Sequence, residues 1–261
     1  MGRAALVAAV GSQRGYADWT NPHHRFRRLL AEFIGMAGLM FILSGAAAIL
    51  VRYGGAVLEP WQKVPILALV AALWLVAAVY FLGDISAHFN PVVTLAFALR
   101  RDIGWLMAGV YWIVQFGAAV CGSLLARAFF GPAGQLAATM PKPGQSWQAT
   151  GFEAVLTFGL VLMLLNLANG PKLNGPLVPL AVGAYILAWV TMGGLYDGAS
   201  MNPARSLGPD VAIGNLSSFW VYVLGPVAGA VAAVAVAFIL RGPAPAQEAS
   251  TAGGIPMDIA D

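Results

Sequence analysis

Apolar segments long enough to span a membrane recur along the chain, separated by short polar stretches. The first runs from residue 29 to 51 and contains one charged residue, Glu32. A helix over these residues is about 34 Å long at 1.5 Å per residue, which exceeds the ~30 Å hydrocarbon core of a bilayer. The pattern predicts six such helices, over residues 29–51, 64–82, 104–126, 152–168, 177–195 and 218–240.

Two shorter apolar segments each begin with an Asn-Pro pair, in Asn90-Pro91-Val92 and in Asn202-Pro203-Ala204. Asn is a favoured residue at a helix N-cap, and Pro suits the first helical position. The second segment ends near Ile213, which leaves a helix of about 15 Å, half of a bilayer. The irregular backbone before each pair must be buried in protein or line a water-filled cavity.

The same order of elements occurs twice: two spans, a half-helix and a third span. Glu32 in the first span corresponds to Glu153 in the fourth. Three full spans are an odd number, so the second half is inverted relative to the first. The two half-helices are therefore expected to enter from opposite faces and to meet with their N-termini together, as in inverted-repeat membrane proteins.

Composition agrees with a membrane protein. The 261 residues are 59% hydrophobic and 10% charged, whereas a soluble domain carries about 25% charged residues. The net charge of +3 comes from scattered basic residues without a stripe, so no nucleic-acid partner is expected. The single cysteine, Cys121, excludes an intrachain disulfide and a cysteine metal cluster, and it is expected to be a small buried thiol.

The basic residues also predict the orientation. With a cytoplasmic N-terminus, nine Lys and Arg residues lie inside and four outside, Arg205 not being counted. Both termini are therefore expected in the cytoplasm, with a tail over residues 1–28 and a disordered tail over residues 241–261. The pair Asn21-Pro22 has no apolar run behind it and is interpreted as a turn in the first tail.

These features closely resemble the aquaporin, or major intrinsic protein, family. The resemblance rests on the paired half-helices, the two span Glu residues and the string Asn202-Pro203-Ala204-Arg205-Ser206, and it covers residues 29–240, with half-repeats 29–130 and 152–240. It implies an all-α fold of six transmembrane helices and two re-entrant half-helices in an inverted repeat. It also implies a bacterial-type channel of the inner cell membrane, a homotetramer with one pore per subunit and no cofactor.

Several polar residues have a predicted role in this pore. Each half-helix N-terminus carries about half a positive charge, so the opposed pair repels cations. The amides of Asn90 and Asn202 can donate hydrogen bonds to a solute, and Arg205 keeps its charge. The alternatives are that the two Asn side chains act only as helix caps and that Arg205 is a structural residue bound to a loop carbonyl or acid.

Three further residues are expected to support the loops. Glu32 and Glu153 are placed to accept hydrogen bonds from backbone N–H groups of the re-entrant loops, because buried donors need partners. Participation in transport is the alternative for both. His88 is either a pH sensor near the cytoplasmic mouth or a source of hydrogen bonds to its loop.

The resemblance also implies a narrow selectivity filter of four residues. Counted onto this chain, they are Ala71, Val190, Ala199 and Arg205. The first loop is one residue shorter than usual, so Val70 is an alternative to Ala71, and Trp74 lies one turn further on. Water-selective members carry an aromatic residue and a histidine at the first two positions. The small aliphatic residues here predict a wider pore.

The predicted function is a passive channel for water and small uncharged solutes such as glycerol, urea or a metalloid hydroxide. A coupled secondary transporter is the first alternative, although it needs an acid beside the substrate path. A structural membrane protein whose pore is closed is the second, with Val92 as its narrowing residue. An enzyme is not expected, since no nucleophile with a base and no metal-ligand spacing occurs.

Overall fold

A computed structural model describes residues 22–54, 57–167 and 177–242, and these residues are mostly helical. The helices of the described ranges are α1 (Pro22–Gly54), α2 (Pro60–Leu82), α3 (Pro91–Leu99), α4 (Trp105–Phe130), α5 (Ser146–Leu167), α6 (Val178–Gly193), α7 (Pro203–Ile213) and α8 (Val221–Arg241). Five of them, α1, α2, α4, α5 and α8, are long and apolar enough to cross a membrane, and α6 is a shorter apolar helix.

Three predicted helix starts are too late, and one of them is that of α2, which begins at Pro60 rather than at residue 64. Helix α1 begins at Pro22 rather than at residue 29, and α5 begins at Ser146 rather than at residue 152. The interpretation of Pro22 as part of a turn is therefore wrong, whereas Asn21 lies outside the described residues. Hydropathy detects only the part of a helix that lies in hydrocarbon, while backbone hydrogen bonding continues into the polar region.

The two half-helices begin in the same way. The side chain of Asn90 accepts a hydrogen bond from the backbone N–H of Val92, and Asn202 accepts from Ala204 and Arg205. In each case the Pro that follows occupies the first turn, where its missing N–H leaves no donor unsatisfied. Helix α3 has 9 residues and α7 has 11, so each reaches only partway through a bilayer.

Helix packing interlocks the two halves of the chain. Helix α1 packs along α4, and α5 packs along α8 in the second half. Helix α2 packs on α6, while α3 contacts α8 and α7 contacts α4. Each half-helix is thus held by the third span of the opposite half as well as by its own loop.

Glycine residues allow the long helices to approach closely. A Cβ atom at Gly122 in α4 would lie 2.2 Å from the carbonyl oxygen of Ala37 in α1. The same distance separates a Cβ at Gly229 in α8 from the carbonyl oxygen of Ala154 in α5. Small residues at such crossings bring backbones into contact, which is how helices pack in a membrane without a hydrophobic driving force.

Cys121 does not have the predicted environment. Its side chain is exposed on the surface of α4, whereas Ala118 and Ala119 are fully buried and Gly122 packs on α1. Cys121 therefore points away from the packed face, and the prediction of a buried thiol is wrong. An apolar segment does not by itself distinguish the packed side of a helix from the side that faces lipid or another subunit.

Replacement of Gly122 by Ala is expected to destabilise the protein. The added methyl group would overlap the backbone of α1, and overpacking of this kind costs about 1–3 kcal/mol. Thermal unfolding in detergent should therefore show a lower midpoint for Gly122→Ala.

Gly117→Ala is the matched control on the same helix, because no atom lies within 4 Å of a Cβ at that position. This variant should unfold at the wild-type temperature or slightly above it, since Ala is the better helix former. Equal midpoints for Gly122→Ala and the wild type would contradict the α1–α4 contact.

Candidate functional site

A cavity of about 510 Å³ lies between α2, α6 and the loops that precede the half-helices. Its apolar wall includes Leu39 and Leu43 of α1, Val93 and Phe97 of α3, and Leu160, Leu164 and Leu167 of α5. Two further helices contribute side chains at helical spacing. On α2 they are Val64, Leu67, Ala71, Leu75 and Val79, and on α6 they are Val182, Ile186 and Val190. The sequence analysis did not identify most of these residues, although the spacing of three to four along α2 is the signal that indicates one helix face.

Most of the polar lining comes from the re-entrant loops and α7, and Tyr80 and Asp84 add to it at the end of α2. It includes the side chains of His88, Asn90, Asn202 and Arg205. Residues Gly198, Ala199 and Ser200, just before the second Asn-Pro pair, also line the cavity. The cavity therefore combines an aliphatic surface with a set of hydrogen-bonding groups.

The two Asn side chains link the loops to each other. Nδ2 of Asn90 donates a hydrogen bond to the carbonyl oxygen of Met201 at 2.8 Å, and Nδ2 of Asn202 donates to the carbonyl oxygen of Phe89 at 2.8 Å. The sequence analysis missed this reciprocal pair, because the residues are more than 100 positions apart. Each amide has two N–H groups. Nδ2 of Asn202 also lies 4.0 Å from the weak acceptor Sδ of Met36, whereas Asn90 keeps a second N–H that can serve a solute in the cavity.

The carboxylate of Glu32 accepts hydrogen bonds from several groups of the first re-entrant loop. Its Oε1 accepts from the backbone N–H of His88 and from the Ser86 hydroxyl, both at 2.7 Å. Its Oε2 accepts at 2.8 Å from the backbone N–H of Phe89 and from the side-chain amide of Gln115. The side chain is fully buried and does not line the cavity.

Glu153 has the equivalent place in the second half. Its two oxygens accept from the backbone N–H groups of Ser200 at 2.5 Å and of Met201 at 2.7 Å. It is also fully buried and lies outside the cavity lining. Each Glu thus binds the backbone of the two residues directly before an Asn: His88 and Phe89 before Asn90, and Ser200 and Met201 before Asn202.

His88 joins its loop to α3 and α4. Its Nδ1 lies 3.0 Å from the hydroxyl of Thr94, and its ring stacks on Phe97 with centroids 4.9 Å apart. The ring of Tyr111 in α4 meets it edge-on at 5.3 Å. His88 is half-buried and lines the cavity, so it has both a loop contact and access to the lumen.

Arg205 is held by a loop that the sequence analysis left without a role. Its Nη1 donates at 2.7 Å to the carbonyl oxygen of Ala137, and only 9% of the residue is exposed. The turn from Gly134 to Ala137 has φ angles of +49° to +62°, a left-handed conformation that non-glycine residues rarely adopt. Arg205 both binds a loop carbonyl and lines the cavity.

Three hydroxyl groups, those of Thr139, Ser200 and Ser206, form a cluster next to Arg205. The hydroxyl of Thr139 donates to the Ser206 oxygen at 2.7 Å, and Ser200 and Ser206 hydroxyls lie 2.6 Å apart. Ser200 also donates to the carbonyl oxygen of Asn202 at 2.9 Å. These buried bonds attach the connection between α4 and α5, residues 131–145 and here called the outer loop, to the start of α7.

The four residues counted as a filter, Ala71, Val190, Ala199 and Arg205, all line the cavity. Val70 and Trp74 are outside its lining. The indole Nε1 of Trp74 donates at 2.9 Å to the carbonyl oxygen of Gly35, so this ring is fixed against α1 rather than in the lumen.

The remaining motif residues lie behind the cavity wall. Pro91, Val92, Pro203 and Ala204 are buried in the first turns of α3 and α7 and do not line the cavity. Val92 packs in an apolar cluster with α4 and α8, and its neighbour Val93 faces the cavity instead. The expectation that Val92 narrows the pore is therefore wrong, because the helix turns its side chain away.

Comparisons with known proteins agree with this architecture. Residues 19–237 match the model of the Major intrinsic protein family. The chain is 39% identical over 217 residues to Aquaporin NIP1-1 of Oryza sativa subsp. japonica, across 82% of this chain and 74% of that one. It is 34% identical over 209 residues to Aquaporin NIP2-1 of Zea mays, across 80% of this chain and 69% of that one.

A solved structure shows the same fold. The X-ray structure of the aquaglyceroporin from Plasmodium falciparum superimposes with a TM-score of 0.69 at 24% sequence identity. The likeness covers 81% of this chain and 94% of that chain.

The helices, the opposed half-helices and the cavity between them define a multi-pass membrane channel. The chain belongs to the major intrinsic protein family. It is a passive channel for water and small solutes, and it is not an enzyme. The predicted all-α membrane fold of this family is confirmed: among the described residues, five helices are long and apolar enough to span, α6 is a shorter apolar helix, and α3 and α7 are the half-helices.

Glu32→Gln is expected to lower the stability of the first loop. The substitution replaces an oxygen by an NH₂ group, so at least one of the buried donors loses its acceptor, at a cost of about 1–3 kcal/mol. The unfolding midpoint in detergent and the water permeability of proteoliposomes should both fall.

Glu59→Gln is the control, because Glu59 is exposed and its side chain belongs to the capping box at the start of α2, where the remaining oxygen of a Gln can still accept. It should change neither measurement. A Glu32→Gln variant that matches the wild type in both would show that the carboxylate is not needed to hold the loop.

Proposed function

We propose that the channel conducts small uncharged solutes such as glycerol, urea or a metalloid hydroxide in addition to water, and that it excludes protons and other ions. The observation that carries this proposal is the pairing of an aliphatic wall on α2 and α6 with one arginine and two asparagines. A molecule with a carbon face and a hydroxyl face can contact both surfaces. The name of the aquaglyceroporin with the same fold refers to such a solute.

Ion exclusion follows from the charges around the lumen. The N-termini of α3 and α7 meet through the Asn90 and Asn202 cross-links, and each contributes about half a positive charge. Arg205 adds a full charge that it cannot lose. A cation must therefore leave its hydration shell in a region of positive potential, while a neutral solute meets no such penalty.

Coupled transport is the weaker alternative on the same contacts. A coupled carrier needs an ionisable group beside the substrate path. Glu32 and Glu153 use both of their oxygens to bind the loops and do not line the cavity. Among the residues that line it, Asp84 is the acid, and it lies exposed near the end of α2.

We also propose that both termini are cytoplasmic and that the protein is a homotetramer. The distribution of basic residues supports cytoplasmic termini in an inner cell membrane. Many large apolar side chains are exposed on the surface of one subunit. The exposed fractions of Leu73, Ile113 and Ile239 are 59%, 73% and 82%. A homotetramer in a bilayer, which the family resemblance implies, would cover such surfaces with lipid and neighbouring subunits.

Stopped-flow light scattering on proteoliposomes tests the proposed solutes. Wild-type vesicles should shrink faster than empty vesicles under a sucrose gradient and should re-swell faster in glycerol or urea. Proton flux, followed with an internal pH dye, should equal the lipid background. High water flux without uptake of glycerol, urea or a metalloid hydroxide would refute the wider pore.

Arg205→Val tests ion exclusion in the same vesicles. It removes the fixed charge and leaves the two helix ends, so proton or cation flux should rise while water still passes. Arg127→Val is the matched control, because Arg127 also donates to a backbone carbonyl, that of Ala212, but does not line the cavity. If ion flux in Arg205→Val stays at background, the charge of Arg205 is not what excludes ions.

Thiol labelling of intact cells tests the orientation. In a Cys121→Ser background, an impermeant reagent added outside should label Lys142→Cys in the connection between α4 and α5. It should not label Arg101→Cys, which follows α3 on the opposite side. Both positions are exposed, so accessibility to solvent is matched. The reverse labelling pattern would invert the proposed topology.

A further inference from the structure

Asp197 is a buried acid in the second re-entrant loop, residues 194–202, and the proposed function gives it no role. Only 1% of the residue is exposed, and it does not line the cavity. The two residues that follow it, Gly198 and Ala199, do line the cavity. The carboxyl group therefore lies behind the cavity wall and next to it in the chain.

One carboxyl oxygen of Asp197 holds the backbone of this wall. Oδ1 accepts a hydrogen bond from the backbone N–H of Ala199 at 2.9 Å. Ala199 has a φ angle of +44°, in the left-handed region that residues other than glycine rarely adopt. Such a conformation persists only where surrounding contacts enforce it. The hydrogen bond to Asp197 is one of these contacts, and Tyr222 of α8 secures the acid by donating at 2.7 Å to its carbonyl oxygen.

The other carboxyl oxygen has no donor. Oδ2 of Asp197 is buried and makes no hydrogen bond with any residue that the structure describes. The nearby hydroxyl protons are already used, because Thr139 donates to Ser206 and Ser200 donates to the carbonyl oxygen of Asn202. Ser206 in turn donates to Ser200. A buried negative oxygen without a donor is unfavourable, so the site favours the neutral acid.

Charged and titratable groups approach Asp197 from three helices and one loop. Glu153 of α5 repels its carboxylate, Arg205 of α7 attracts it, and Tyr222 of α8 lies against it. Lys142 of the outer loop lies 5.9 Å from the ring centroid of the preceding residue. Burial raises the pKa of Asp197 to about 6, against the hydrogen bond from Ala199 and the attraction to the arginine. Such an acid changes its charge within the physiological pH range.

The first re-entrant loop has an apolar residue at the equivalent place. Asp197 stands five residues before Asn202, and Ile85 stands five residues before Asn90. Ile85 packs against the main apolar cluster. The acid therefore belongs to the second loop, at the α6 end of the cavity. Its neighbour Gly198 lines the cavity, so water in the lumen can exchange a proton with the carboxyl group after a small movement.

We propose that Asp197 is a proton-binding site that controls permeation. The neutral acid holds the second re-entrant loop as described here, and loss of the proton to water releases the loop. An ionised Oδ2 needs hydration, which requires the carboxylate to turn out of its buried place. Ala199 then loses the acceptor of its N–H group and the contact that keeps its φ angle positive. The wall at Gly198 and Ala199 is displaced, so permeability falls as the external pH rises. This inference rests on the proposed passage of water and neutral solutes through the cavity.

Infrared spectroscopy tests the proton site without any need for conduction. The band of a protonated carboxyl group should be present in the wild type at about pH 5 and should decrease by about pH 8, on either side of the pKa of Asp197. Asp197→Asn keeps an oxygen for the N–H of Ala199 but cannot ionise, so this part of the band should be missing at every pH. A pH-dependent band that is the same in Asp197→Asn as in the wild type would overturn the proposal.

Asp210→Asn is the matched control for this experiment. Asp210 of α7 is also a buried acid with an oxygen that has no hydrogen-bond partner among the described residues, and it does not line the cavity. This variant should keep the part of the band that Asp197→Asn loses. Loss of that part in Asp210→Asn, with no loss in Asp197→Asn, would assign the proton to the wrong acid and refute the proposal.

Stopped-flow light scattering at different pH values tests the control of permeation. Water and glycerol permeability of wild-type proteoliposomes should fall several-fold from about pH 5 to about pH 8, across the pKa of Asp197. Asp197→Asn should stay at the acid level throughout, Asp210→Asn should follow the wild type, and Asp197→Ala should be low at every pH because it lacks the acceptor for Ala199. A wild type whose permeability does not depend on pH, or an equal fall in Asp197→Asn, would overturn the proposal.

Two measurements keep this test decisive. Size-exclusion chromatography identifies a variant that does not fold, and Asp197→Ser, which also offers an oxygen and cannot ionise, then replaces Asp197→Asn with the same expected result. A wild type without water or solute flux at any pH would refute the proposed function. The infrared titration would still decide whether Asp197 binds the proton.

Discussion

Broken helices inside a membrane need partners for their exposed backbone groups, and this requirement governs the centre of the molecule. Hydrocarbon offers no hydrogen bonds, so irregular backbone persists only where protein or a wet cavity satisfies it. Glu32 and Glu153 take the backbone N–H groups that precede each Asn, and each Asn amide takes a carbonyl from the opposite loop. The opposed helix ends exist because these bonds close the loops.

This arrangement separates two tasks within one cavity. The loops and α7 present amides, carbonyls and a guanidinium whose positions are fixed by buried hydrogen bonds. The aliphatic side chains of α2 and α6 face them across the cavity. The proposed exclusion of ions therefore depends on the fixed polar groups, while the proposed width of the lumen depends on the aliphatic side chains that face them.

The two halves have the same order of elements, but different contacts hold their re-entrant loops. Glu32 also receives the amide of Gln115 in α4, whereas the corresponding position in α8 is Gly225. A Cβ at Gly225 would lie 2.8 Å from Cβ of Glu153, so α8 comes too close to α5 for a side chain. The second loop instead is tied to the outer loop by the hydroxyls of Thr139 and Ser206. That loop also holds Arg205, which has no counterpart in the first half.

The sequence by itself determined the class of fold, because hydrophobic length and Asn-Pro helix starts are local properties of the chain. It also indicated Asn90, Asn202 and Arg205, since polar groups in apolar surroundings are conspicuous. Only the tertiary structure decided which apolar residues face the lumen. Leu67, Val92 and Cys121 have similar sequence surroundings, yet one lines the cavity, one is buried behind it and one is exposed. The orientation of a helix about its axis depends on contacts with distant segments, such as those at Gly122 and Gly229, and no local pattern records them.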